Sequence, residues 1–291
     1  MAASRIKILV TGSEGQLGKT IADLAPHQHQ YTFIFLSRTQ LDITHAQQLE
    51  AVITKQQPDI VVNTAAYTAV DAAEDNRQQA FAINQLGPQL LAGVCKKHEI
   101  ALIHISTDYV FDGQAQQPYK ENDTINPQTV YGQSKRAGEE AILEAGLSRF
   151  LIIRTSWLYG VHGHNFLKTM LRLGRERSHL NVVNDQQGIP TSVNDLTKAI
   201  FTIIPQLTPA NSGVYHYSNS GLATWYDFAQ FIFENCELKV SVEPVATLQF
   251  PTPAKRPEYS VLNCDKIRNT FGVKTPDWKK SAASILSIVN S

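Results

Sequence analysis

The chain has 291 residues, with 26 basic and 26 acidic side chains, so no net field draws in nucleic acid or an anionic membrane surface. Apolar residues make up 43% and charged residues 18%, the balance of a packed globular chain long enough for one large domain or two sharing a core. Met1–Val10 carries no secretory pattern, its apolar run is far too short for a membrane span, and Cys95, Cys236 and Cys264 lie scattered without a CxxC pair, which together predict free thiols in a reducing cytoplasm.

In chain order, short apolar runs rich in β-branched residues alternate with helical patterns. Ile6–Val10, Tyr31–Leu36, Ile60–Asn63, Ala101–Ser106 and Phe150–Arg154 read as buried parallel strands. Ala46–Lys55, Ala80–Lys97 and Tyr131–Glu144 read as the helices between them. This alternation predicts an α/β fold, a doubly wound parallel sheet of the Rossmann kind. After Trp157 the rhythm changes: helices are expected over Asn165–Arg177, Asp195–Ile204 and Thr224–Glu234, the last opened by a threonine cap. Dense proline from Pro244 to Pro257 predicts loop and edge structure. The expected division is a dinucleotide-binding domain over 1–157, rejoined by about 191–218 through a strand near Val214–Tyr217, and a smaller substrate-binding region over 158–291.

The first strand runs directly into Gly12-Ser13-Glu14-Gly15-Gln16-Leu17-Gly18. Glycine is needed where a chain turns sharply and where backbone approaches a pyrophosphate, and the helix opening at Gln16 and Leu17 offers free N–H groups to phosphate. The glycine trio also has the context that the motif requires, after a strand and at the start of a helix. The second strand ends at Ser37-Arg38, where folds that select NAD place an acid for the ribose 2′-hydroxyl. A hydroxyl and a cation favour the 2′-phosphate of NADPH and leave NADH open. Asp42 and Ile43 are expected to border the adenine, and Ala65-Ala66-Tyr67 to lie close to the cofactor.

Tyr131 and Lys135 form a Tyr-x-x-x-Lys pair on one helix face. A lysine ammonium there can lower the tyrosine pKa from ~10 towards the operating pH, and the phenol can protonate a carbonyl oxygen as hydride arrives at its carbon; the same lysine can hydrogen-bond the nicotinamide ribose, so Tyr131 and Lys135 are also expected against the cofactor. The strand before that helix ends in Ser106-Thr107, and alternation lets only one of the two hydroxyls face a substrate.

These residues resemble the extended short-chain dehydrogenase/reductase superfamily and, within it, the dTDP-4-dehydrorhamnose reductase family. The resemblance is carried by Gly12–Gly18, VNTAAYTAVD (Val62–Asp71), STDYVF (Ser106–Phe111), VYGQSK (Val130–Lys135), RTSWLY (Arg154–Tyr159), NFLKTMLR (Asn165–Arg172), NDQQGIPT (Asn184–Thr191) and PTPAKRPEYSVL (Pro251–Leu262). It implies NAD(P)H as hydride donor and a dTDP-4-keto-6-deoxyhexose as substrate, with dTDP-L-rhamnose made from dTDP-4-dehydro-L-rhamnose for polysaccharide synthesis. It implies Tyr131 as the acid, Lys135 as its partner, Thr107 as the carbonyl-orienting hydroxyl, Asp108 against the sugar, Trp157 lining the sugar pocket and Arg256 clamping the diphosphate. Family members can bind magnesium through acidic residues at a dimer contact. Lys19-Thr20 stands where one such acid is expected, so a Mg2+ site is not anticipated, and a homodimer stays open.

Competing readings rest on particular residues. A sugar-nucleotide dehydratase would carry an Asp-Glu pair after Thr107, whereas Asp108-Tyr109 stands here; an epimerase would hold NAD, against which Arg38 argues. A regulatory subunit like the β subunit of methionine adenosyltransferase shares the fold and needs no sugar pocket, so Trp157 and Arg256 speak for a reductase. His162 and His164 lack metal-ligating neighbours and are expected in a mobile loop, while Arg172, Arg175 and Arg177 are expected on a solvated helix face.

Overall fold

The computed structural model describes residues 5–290, so the first four residues of the Met1–Val10 stretch lie outside it. Six strands form one parallel sheet: β1 (Ile6–Thr11), β2 (Tyr31–Leu36), β3 (Ile60–Asn63), β4 (Ala101–Thr107), β5 (Phe150–Thr155) and β6 (Gly213–His216), in the order β6-β5-β4-β3-β1-β2. The order reverses beside β1, and the strand carboxyl ends next to such a reversal are where doubly wound sheets bind ligands. The expected strand near Val214–Tyr217 is β6, paired to β5 with Val214 opposite Ile152.

Strand alternation sorts the core into two layers. Ile8, Val10, Val62, Ile103 and Ile153 face the helices Gln16–Leu24, Val193–Ile203 and Asp265–Phe271. Leu9, Val61, Leu102 and Ile152 face Ala46–Gln56, Gly87–Lys97 and Val130–Ala145. Both faces being covered explains why these strands read as continuous apolar runs.

A third cluster lies away from the sheet. Tyr159, Leu167, Met170, Phe228, Ile232, Trp278 and Leu286 bring together the helices Phe166–Glu176, Trp225–Asn235 and Trp278–Val289. Thr224 caps the second of these, its hydroxyl accepting from Asp227 N. The proline-dense segment begins on a strand, Ser241–Val245, that pairs in parallel with His179–Val183 as a two-stranded sheet and then turns at Thr247–Gln249. An edge tolerates Pro244, which has no N–H for a ladder.

One expected helix is broken. The stretch expected as Ala80–Lys97 is a helix over Arg77–Phe81, a wide π turn over Ala82–Leu86 and a helix over Gly87–Lys97. Pro88 cannot donate to the carbonyl of Asn84 four residues back, so the ladder opens there. That carbonyl instead faces Gly138, where a Cβ would come within 2.0 Å of it, so glycine lets the two helices meet. The helices Asp265–Phe271 and Trp278–Val289 were not anticipated, although Asp277 caps the second and Trp278, Ala282, Ile285 and Leu286 bury one face of it.

Candidate active site

The turn after β1 is built on glycines that no other residue can replace. Gly12 sits at φ +65°, and a Cβ there would lie 2.6 Å from the Ala65 amide nitrogen. A Cβ at Gly18 would lie 2.6 Å from the Gly12 carbonyl oxygen, so the helix packs directly on the turn. Beside this turn is a cavity of about 210 Å³ lined by Gly12, Glu14, Gly15, Arg38, Leu41, Asp42, Ile43, Thr64, Ala65, Ala66 and Ile83. Seven of the residues expected at a cofactor thus share one cavity, and Arg38 is 70% exposed at its edge with Nε 3.9 Å from Asp42.

Other expected cofactor residues are engaged elsewhere. Leu17 is buried in the core. Gln16 turns its side chain to Asn165, accepting from Nδ2 at 2.6 Å. Ser37 lies in the turn after β2, where its hydroxyl meets Thr39 and its amide donates to Gln40. Tyr67 packs beside Tyr131 and Tyr109, with its backbone tied to Asn84. Glu14, Leu41, Thr64 and Ile83 line the cavity without having been singled out in the sequence.

At the end of β4 the two hydroxyls part. Ser106 donates below the sheet end to Glu139, while Thr107 lies beside the Tyr131 phenol and donates to Asp108 Oδ1 at 2.9 Å. Thr107 is therefore the hydroxyl that shares a site with Tyr131. Asp108 is buried, its Oδ2 has no partner among the described residues, and burial pushes its carboxyl up to about 6.

The Tyr131 phenol does not carry the lowered pKa expected for it. Burial raises the Tyr131 phenol well above its ordinary value, with the Thr107 hydrogen bond opposing that shift. Lys135 Nζ lies 2.6 Å from the Ile105 carbonyl and 3.3 Å from His104 Nε2. Tyr131 is thus a buried neutral phenol, the form that can give a proton away. Beneath it, Glu139 pairs with Arg154 at 2.7 Å, both almost wholly buried, so that loss of either would strand a charge.

Trp157 is half-buried at φ +47°, and its ring stacks on Trp225 with centroids 3.5 Å apart. One face of the ring expected to meet a sugar is therefore occupied. Its edge packs on Gly188, where a Cβ would come within 2.5 Å of the indole. Arg256 donates to Asp71 at 2.5 Å and to the Tyr109 hydroxyl at 3.2 Å, so the expected phosphate clamp is held by an acid and stands one tyrosine away from Tyr131. His162 lies in the loop before the helix Phe166–Glu176, its Nε2 2.5 Å from Asp23. Arg172 pairs with Glu176 on an exposed face and Arg175 donates to Asn290.

Residues 6–291 match the family model described as the RmlD substrate binding domain. A dTDP-4-dehydrorhamnose reductase from Aggregatibacter actinomycetemcomitans is 38% identical over 96% of this chain and 98% of its own length. This chain belongs to the dTDP-4-dehydrorhamnose reductase family. The crystal structure of a family member from Clostridium acetobutylicum superposes with a TM-score of 0.94 at 40% identity, covering 98% of this chain and all of its own. Another, from Bacillus anthracis in complex with NADP, has a TM-score of 0.93 at 39% identity, with 98% and 100% coverage. The family's extended short-chain dehydrogenase fold accounts for the parallel sheet and for the glycine turn at its reversal point.

Proposed function

We propose that this chain reduces the C4 keto group of dTDP-4-dehydro-L-rhamnose to give dTDP-L-rhamnose, with NADPH as the preferred reductant. The observation that carries the reading is the buried Thr107–Tyr131 hydroxyl pair at the carboxyl end of β4. The substrate named for the family's members supports the choice of sugar nucleotide.

The cavity beside β1 suits the adenosine and pyrophosphate end of a dinucleotide. Its turn has no side-chain atoms at Gly12 and Gly15, so the backbone itself can approach a pyrophosphate. Arg38 at the rim offers a cation to a 2′-phosphate, which supports NADPH. When bound, the cofactor supplies the hydride.

The protein's own groups do the rest. Thr107 and Tyr131 converge as two hydroxyls able to hold one carbonyl oxygen, and Tyr131 gives its proton to that oxygen. Low exposure excludes water from the phenol and strengthens both hydrogen bonds. The unpartnered Oδ2 of Asp108 can accept from a sugar hydroxyl, and Trp157 offers its remaining surface to the pyranose. Arg256 exchanges Asp71 for a diphosphate oxygen. We read residues 1–157 with 191–218 as the cofactor half and the remaining C-terminal residues as mainly the substrate half. The three free thiols support a reducing cytoplasm as the compartment. Steady-state NADPH oxidation with the dTDP-keto sugar, against UDP- and GDP-keto sugars, tests the reading: turnover confined to the dTDP substrate supports it, and equal or absent turnover refutes it.

A further inference from the structure

Behind the site, a chain of buried polar groups joins the turn after β3 to Lys135. Asn63 Oδ1 accepts from Ala65 N–H at 3.2 Å and from the Thr11 hydroxyl at 2.6 Å. A backbone amide can only donate, so the Asn63 oxygen must lie on that side and its NH2 must face the other way. That NH2 meets His104 Nδ1 at 2.9 Å, and since an amide NH2 can only donate, Nδ1 accepts. A neutral imidazole that accepts at Nδ1 carries its proton on Nε2. His104 is 1% exposed, and burial, with the Lys135 charge, holds it well below the ordinary imidazole range, so it is neutral.

His104 Nε2–H therefore points at Lys135 Nζ, 3.3 Å away. Lys135 Nζ also lies 2.6 Å from the Ile105 carbonyl, which can only accept. An ammonium has three N–H groups and no lone pair, so it sets N–H against N–H at His104. A neutral amine completes the network: one N–H goes to Ile105 O, the lone pair takes the His104 proton donor, and one N–H remains free.

We propose that His104, fixed by Asn63 as its Nε2–H tautomer, is a positioning residue that donates to the Lys135 nitrogen and so favours its unprotonated amine over the ammonium. The step is small: one proton leaves Nζ for solvent, and the lone pair left behind accepts from His104. The other charged group acting on Lys135 is Glu139, one turn along the same helix, which favours the ammonium. Arg154 from β5 and Ser106 from β4 both bond Glu139 and draw its charge away. Burial pushes Lys135 down to about 8, with Glu139 opposing. The inference deepens the reading above and rests on Lys135 being the catalytic lysine.

Two measurements test it on the full chain. In protein labelled with 15N-histidine, correlation of ring nitrogens with ring protons reads each tautomer directly, and His104→Gln assigns the signal. A neutral His104 protonated on Nε2 at pH 7 is expected; an Nδ1–H tautomer or an imidazolium overturns the proposal. The second measurement is the pH dependence of NADPH affinity in wild type and His104→Gln. Glutamine can turn its oxygen to the ammonium, so the alkaline limb should move up by about one unit. An unmoved limb in His104→Gln would overturn the proposal and make His104 merely structural. If Tyr131→Phe retained full activity while the Nε2–H tautomer was found, the reductase assignment would fail and the tautomer argument would stand.

Discussion

Arg256 gives the sharpest prediction, because its structural and catalytic roles differ in size. In the structure its guanidinium pairs with Asp71, which is 40% exposed, and with the Tyr109 hydroxyl. Partly exposed pairs of this kind contribute only ~0–1 kcal/mol, so Arg256→Ala should lower the melting temperature by a few degrees at most. A fork on a diphosphate oxygen is a charge-assisted bond worth roughly 1.5–3 kcal/mol, which predicts a loss of about 10–150-fold in kcat/KM. The loss should fall mainly on KM, with some on kcat, because remote binding also positions the keto group. Arg256→Lys should recover part of it, since a point charge lacks the planar fork. Asp71→Asn should leave Arg256 free and lower KM. The assay is steady-state kinetics with the dTDP-keto sugar, beside thermal melts of the same proteins. Wild-type kinetics in Arg256→Ala, or an equal loss with a keto substrate lacking a diphosphate, would refute the clamp.

Tyr131→Phe should cut turnover by ~10²–10⁴-fold while NADPH affinity by fluorescence titration stays close to wild type, since the phenol is a proton donor rather than an anchor. Arg38→Asp should shift the ratio of kcat/KM values towards NADH; an unchanged ratio would leave Arg38 as a rim residue only. Asp108 is pushed up to about 6 from an ordinary value near ~4, so its contribution to stability is full at low pH and is lost as pH rises through about 6. Asp108→Asn should therefore flatten the fall in melting temperature between pH 4 and 7, and a parallel fall in both proteins would remove Asp108 from that titration.

The sheet was legible because its strands carry apolar, β-branched runs: the fully buried Ile60–Asn63 and the half-buried edge strand Tyr31–Leu36 both have the bounds that those runs predict. The glycine turn was equally plain, since Gly12 and Gly18 answer to local geometry within a few residues of themselves. The π turn before Pro88 could have been read from the proline, which removes one donor from a helix ladder. The partners of the polar groups were not legible. Arg256 meets Asp71 across 185 residues and Lys135 meets His104 across 31, and no periodicity encodes such pairs. The Trp157–Trp225 stack was hidden for the same reason, as each ring alone reads as a pocket or core residue. His104 stood in the open within an apolar strand, and the signal was its position, three residues before Thr107 on the strand that carries it.

Deuterium transfer tests the central claim most directly. NADPH deuterated at nicotinamide C4 on the transferred face is incubated with dTDP-4-dehydro-L-rhamnose and the protein, and the product is read by NMR. The account predicts deuterium at C4 of the sugar in dTDP-L-rhamnose, formed one for one with the NADPH consumed and lost in Tyr131→Phe. Product without deuterium at C4, or NADPH left unconsumed, would contradict it.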